Sequence, residues 1–151
     1  MAGIKFLALF LIPIFLFALE GKVISVTDGD TIKILTSERG QIKVRLYGID
    51  APEKKQPYGT AAKRYLSDLI AGKTVQIEEL GKDRYKRVLG IVHLDSKDVN
   101  EILVLNGYAW AFTKYSKIYE SQEWQARSKG LGLWCDKNPI KPEIWRKNKQ
   151  K

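Results

Sequence analysis

The sequence predicts an α+β fold, mainly β: a five-stranded Greek-key barrel of the OB type with about three helices. Three observations predict it. Five short segments, residues 22–26, 31–35, 41–47, 74–80 and 87–94, are rich in β-branched residues or alternate apolar with polar. Turn signals at Asp28-Gly29 and Arg39-Gly40 join the first three of them as consecutive hairpins. A single helical stripe falls between the third and fourth, and strand–strand–strand–helix–strand–strand is the order of a small barrel of this kind.

The first residues stand apart from that pattern. After Lys5 an uncharged run extends from Phe6 to Leu19 and contains Pro13. It is short for a membrane span and fits the apolar region of a secretory signal, with Ala18 just before the cleavage point. Residues 1–19 are therefore expected to be a signal peptide, with an uncleaved membrane anchor over 6–19 as the alternative. Residues 20–136 form the expected domain and 137–151 a basic C-terminal tail. Export to the periplasm or the cell exterior follows from the signal reading.

Composition bounds the rest. Hydrophobic residues are 44%, aromatics 11% and charged residues 28% of 151, which is enough for a folded core and argues against disorder. A formal charge of +9 favours polyanionic partners such as nucleic acid or anionic lipid. Cys135 is the single cysteine, so an intramolecular disulfide is impossible. Flanked by Trp134 and Asp136, it reads as a packed residue.

Taken in order, the first hairpin turns at Thr27-Asp28-Gly29-Asp30. The third strand alternates Ile42, Val44 and Leu46 with Lys43, Arg45 and Tyr47, then bends at Gly48 and Pro52. Tyr58, Ala61, Ala62, Tyr65, Leu66, Leu69 and Ile70 make one apolar helical stripe, ended by Gly72. Val75 and Ile77 point inward from the fourth strand, and the nearly continuous apolar fifth strand is expected to be buried on both faces. Asp98 with Glu101 resembles a helix start, with Val99, Ile102, Leu103 and Asn106 on one face and Gly107 as C-cap. A short aromatic extended piece follows at 108–112, and a weaker third helix at 118–129 centres on Trp124 and Ala126. Residues 137–151 show no apolar period and read as a strap with a frayed end. His93 and the tryptophans Trp110, Trp124, Trp134 and Trp145 are expected to pack rather than to catalyse.

Chemistry concentrates at the end of the third strand. Arg45, Asp50 and Glu53 leave it around one rigid corner, and a planar guanidinium with carboxylates suits work on a phosphate ester. Asp28 and Asp30 add carboxylates from the hairpin turn. Two aspartates, a backbone carbonyl and waters would make an oxygen site suited to Ca²⁺. Arg87 sits where the basic segment Asp83-Arg84-Tyr85-Lys86-Arg87 enters a strand, an awkward place for a guanidinium without an anion.

Four blocks in order then resemble the staphylococcal nuclease (thermonuclease) family: Val26-Thr27-Asp28-Gly29-Asp30-Thr31, residues 45–53, residues 83–87, and Gly132-Leu133-Trp134. The resemblance spans about residues 21–145. It implies an OB-fold, Ca²⁺-dependent nuclease that cuts DNA and RNA, single strands favoured, to 3′-phosphate products, acting as a monomer. It also implies roles. Asp30, Asp50 and the Ala51 carbonyl would be metal ligands, with Asp28 in support; Glu53 would be the general base; Arg45 and Arg87 would hold the scissile phosphate. Tyr85, Arg84, Tyr115 and Lys54 would contact the substrate. Departures are Ala51 in place of a threonine, Lys86 in place of a frequent glycine, Thr113 in place of a tyrosine, and a shorter loop at 54–57. A non-catalytic OB-fold nucleic-acid-binding module is the alternative reading, but it would be free to lose members of the set Asp30, Arg45, Asp50, Glu53 and Arg87. All five are present.

Overall fold

The computed structural model describes residues 19–150. The expected signal peptide and anchor lie outside them, except for Leu19. That residue opens the first strand, opposite Ile77, and is only 6% exposed, so it belongs to the barrel.

The strands are β1 (Leu19–Asp28), β2 (Thr31–Thr36), β3 (Gly40–Leu46), β4 (Ile49–Asp50), β5 (Thr74–Lys82), β6 (Val88–Leu94), β7 (Lys97–Asp98) and β8 (Trp110–Ala111). Five of them make the barrel. The order β3-β2-β1-β5-β6 is antiparallel throughout, and a parallel β3–β6 pairing closes it, with Val44 opposite Val88 and Leu46 opposite Gly90. Side chains alternate along a strand, so Ile32 with Ile34, Val44 with Leu46, and Val75 with Ile77 share the inner face, and all six are fully buried. β6 departs from the expectation of burial on both faces. Val88, Gly90 and Val92 are buried while Leu89, Ile91 and His93 are half-buried, so its outer face is only partly covered. His93 lies beside Glu78 on neighbouring β5.

Helix α1 (Gly59–Ile70) buries Ala62, Leu66 and Ile70 against the barrel, and Tyr65 stacks on Tyr108 with ring centroids 4.0 Å apart. The β1–β2 turn is pressed against this helix. A Cβ on Gly29 would lie 2.7 Å from the Ala62 Cβ and 2.8 Å from the Ala51 Cβ, so the turn, the corner and α1 meet at one point. Helix α2 (Val99–Leu105) is N-capped by Asp98, which accepts from the Glu101 N–H. Its buried residues are Val99, Asn100, Leu103 and Val104; the expected Asn106 is instead an exposed C-cap, since the helix ends one residue before it.

Three expectations about the C-terminal third are corrected. Trp124 in α3 (Glu120–Ser128) is 70% exposed, because α3 buries Ala126 and a residue two places away faces the other side. Cys135 is exposed at the end of a 3₁₀ turn, Gly132–Cys135, where Leu133 takes the buried place. The tail is no frayed strap: Pro142–Asn148 form helix α4, with Pro at its start, Glu143 in the first turn and Arg146 and Lys147 in the last. So short a helix shows no apolar period. Trp110 and Trp134 do pack, meeting edge to face at 4.5 Å with Arg127 lying over both rings.

Candidate active site

The corner after β3 is built by backbone pairing. Ile49 pairs with Ala111 and Asp50 with Trp110 in the small β4–β8 sheet, and the Phe112 N–H donates to the Gly48 carbonyl at 2.8 Å. The hairpin turn is tied in by the Leu46 N–H, which donates to the Asp30 carbonyl at 2.8 Å. These bonds carry Asp30 and Asp50, both nearly fully buried, to the same guanidinium. Arg45 Nη2 lies 3.1 Å from Asp30 Oδ2 and 3.3 Å from Asp50 Oδ1. Its Nη1 donates to the carbonyls of Leu46 at 2.6 Å and Ile49 at 2.9 Å, so the fork is locked on both sides. Asp30 Oδ2 also accepts the Ala51 N–H at 2.7 Å.

Glu53 is held by the loop that follows. Its backbone N–H donates to Gln56 Oε1 at 3.0 Å, and Gln56 Nε2 donates to the Ile140 carbonyl of the C-terminal segment. Gly59 closes this loop. A Cβ there would fall 1.8 Å from the Glu53 carbonyl oxygen, so no other residue fits without moving Glu53.

One residue of the cluster is not among those the sequence singles out. Arg146 of α4 donates through Nη1 to Asp50 Oδ1 at 3.1 Å and Glu53 Oε1 at 2.7 Å, and through Nη2 to Asp50 Oδ2 at 2.9 Å. Nothing local marks it, since its partners lie more than 90 positions earlier.

The family described as Staphylococcal nuclease homologue matches residues 43–136. The chain belongs to this family. A Haemophilus influenzae protein named "Uncharacterized endonuclease" is 44% identical over 85% of this chain and 74% of its own length. An Escherichia coli protein of the same name is 39% identical over 91% of each chain. A Shigella flexneri protein named "Micrococcal nuclease" is 40% identical over 85% of this chain and 80% of its own.

Within this staphylococcal-nuclease-like domain the electrostatics are those of a crowded acidic corner. Burial, and then the charge of Asp30, push the Asp28 carboxyl up to about 7. Burial likewise raises Asp50, although hydrogen bonds from Arg146 and the charges of Arg45 and Arg146 pull the other way. Burial works against the charge on Arg146, but hydrogen bonds to Asp50 and Glu53 outweigh it and hold the guanidinium firmly protonated. Among the described residues no group of three or more His, Cys, Asp or Glu forms a metal cage. The ligands that the family resemblance implies, Asp30, Asp50 and the Ala51 carbonyl, would offer only hard oxygen, which suits Ca²⁺ or Mg²⁺ with waters completing the shell, and the two aspartates do meet at Arg45.

The remaining sequence-predicted residues do not bond to the cluster. Arg87 Nε donates to Asp83 Oδ2 at 2.7 Å, so the awkwardly placed guanidinium has its anion within its own loop. Arg84 and Arg87 lie over the ring of Tyr85, 4.9 and 5.4 Å from its centroid. Tyr115 is 66% exposed and meets Phe112 edge to face. Lys54 lines a groove of about 370 Å³ with Asp28, Thr60, Lys63 and Arg64, directly beside the acidic corner.

Proposed function

We propose that this chain is a Ca²⁺-dependent nuclease that hydrolyses phosphodiester bonds in DNA and RNA, preferring single strands and leaving 3′-phosphate products. It is an enzyme of the nuclease class, in keeping with the names its relatives bear. The observation that carries the reading is the meeting of Asp30 and Asp50 on Arg45, with Glu53 joined to Asp50 through Arg146, beside an open groove that carries Lys54, Lys63 and Arg64. Asp30, Asp50 and the Ala51 carbonyl would hold the ion, which supplies a Lewis acid for the phosphate oxygens. Glu53, 38% exposed at its side chain, is the one carboxylate of the cluster open enough to take a proton from an attacking water. Arg45 uses both terminal nitrogens on the aspartates and on backbone carbonyls, so its Nε–H and its charge are what it offers the phosphate. Arg87, immediately before β6, would supply the second guanidinium, and together the two would offset charge that builds on the equatorial oxygens.

Lys54, Arg84, Tyr85 and Tyr115 supply the wider contacts: cations for the backbone and exposed rings for unstacked bases. Both rings are largely exposed, although Tyr85 already carries Arg84 and Arg87 over it and Tyr115 meets Phe112 edge to face, and an unpaired base would stack on the ring surface that is left. Residues 1–18 direct export to the periplasm or the cell exterior, and the enzyme acts there as a monomer. A mature N-terminus near residue 19, read from protein recovered outside the cytoplasm, supports this; an intact N-terminus in the cytoplasm refutes it.

The deciding experiment is hydrolysis of a single-stranded DNA oligonucleotide by purified residues 19–151, with Ca²⁺ and with chelator, beside Glu53→Gln. Cutting should require Ca²⁺ and fall by roughly 10²- to 10⁴-fold in the variant. Binding of DNA with no cutting under any divalent ion would sink the enzyme reading and leave a binding module.

A further inference from the structure

A second groove, of about 330 Å³, is lined by Arg87 together with Arg39, Lys43, Lys82, Tyr85 and Lys86. Arg39 is taken up by Glu79, at 2.8 Å. The amines of Lys43, Lys82 and Lys86, by contrast, have no ion pair or hydrogen bond among the described residues. Lys86 is the telling member. It stands at φ +62, the left-handed region that a residue with a Cβ enters at a cost. A strained lysine that shares a groove with two further unpaired lysines and a 64% exposed tyrosine points to a ligand. We propose that this groove is an extended subsite for the phosphodiester backbone of a single strand. The strand runs past Arg87 with Lys43, Lys82 and Lys86 on successive phosphates and a base over Tyr85. The inference rests on the nuclease reading above.

Its test is binding of labelled single-stranded DNA of two and of about ten nucleotides, in chelator, followed by fluorescence anisotropy at several salt concentrations. In Lys43→Ala/Lys82→Ala/Lys86→Ala the longer strand should bind at least roughly tenfold more weakly, with a log–log salt slope shallower by about 2. The dinucleotide should bind as before. Lys86→Gly, which keeps the backbone conformation and removes one amine, should show a proportionate part of the effect and melt no lower than the parent. An unchanged slope for the longer strand refutes the groove alone. Failure of the unsubstituted protein to bind either strand refutes both the groove and the substrate reading beneath it.

An independent contact carries a second inference. Arg146 holds both oxygens of Asp50 and one of Glu53, the same lone pairs that an ion ligand and a general base must offer. Its helix is only seven residues long and half-exposed, with Trp145 half-buried and its indole Nε1 out of solvent. Pro142 is the buried residue of α4, Ile144 is 48% exposed, and the Lys114–Glu143 pair lies in solvent. We infer that α4 is an autoinhibitory plug, in which Arg146 serves as a resident cation that a divalent ion must displace. This too rests on the nuclease reading. Calorimetric titration with Ca²⁺ should show tighter binding to Arg146→Gln than to the parent, by about tenfold. Trypsin should cut the segment 141–149 faster in the parent once Ca²⁺ is added. Equal or weaker Ca²⁺ binding by the variant overturns the plug while leaving the metal reading intact. Absence of Ca²⁺ binding in both proteins overturns the metal reading with it.

Discussion

The side-chain amide of Asn100 donates a 2.9 Å hydrogen bond to the carbonyl of Tyr47, joining α2 to the chain just before the corner that carries Asp50 and Glu53. The same nitrogen reaches the Gly90 carbonyl at 3.2 Å, and Asn100 Oδ1 accepts the Val92 N–H at 3.1 Å. Asn100 is fully buried at the point where β3 and β6 part. It replaces the ladder bonds that the diverging strands can no longer make with each other.

Asn100→Ala therefore leaves the Val92 N–H and the Tyr47 carbonyl without that partner inside the fold. The expected loss is about 2–4 kcal/mol, the cost of orphaned buried polar groups together with a small cavity. Thermal unfolding should move down by roughly 10 °C for a domain of this size. Urea unfolding should show a lower midpoint with an unchanged slope. A variant that melts with the parent would mean that water or a shifted backbone takes over these bonds.

Gly59→Ala should separate catalysis from stability. The new methyl cannot coexist with the Glu53 carbonyl 1.8 Å away, so the 53–59 loop must shift and carry Glu53 with it. A displacement of about 1 Å at a reacting group can cost on the order of 10²-fold in rate. The loop is exposed at Lys54, Lys55 and Pro57, so it has room to yield without unpacking the core. The expected result is a large fall in kcat with a drop in Tm of only a few degrees. Equal and small changes in both would show that the loop absorbs the methyl elsewhere and that Glu53 stays in place.

How much of this was legible in the sequence follows from the range of each interaction. The five barrel strands, the α1 stripe and the Asp98 cap are local patterns, and they appear where expected within a few residues. Asp30, Arg45, Asp50 and Glu53 were legible because a turn signal and a Gly/Pro corner mark the backbone that carries them. Asn100 and Gly59 were not. A buried asparagine and a clash-limited glycine look like any polar or small residue until their distant neighbours are known. Arg146 was hidden twice over, in a helix too short to show a period and opposite partners far back in the chain. Lys86 was noticed as a departure from glycine, but only its φ of +62 gives that departure a physical meaning.

The Asp83–Arg87 pair gives a prediction in pH. Burial works to raise the Asp83 carboxyl, but hydrogen bonds from the Arg87 side chain and from the backbone N–H groups of Arg87 and Tyr85 outweigh it and hold it below its ordinary value of 3.8. A folded-state value below the unfolded one means that the unfolded chain binds more protons between the two. The stabilisation is therefore complete above about pH 4 and disappears as pH falls through the lower, folded value. Asp83→Asn should cost about 1 kcal/mol at pH 7, a modest figure because the pair is partly solvated, with side chains 27% and 16% exposed. Melting curves of parent and variant should stay apart from pH 7 down to about pH 4 and converge below it. A gap that persists unchanged at pH 2 would show that Asp83 stabilises the loop through its shape rather than its charge. The Arg87 side chain would then owe its place to the backbone turn rather than to the ion pair.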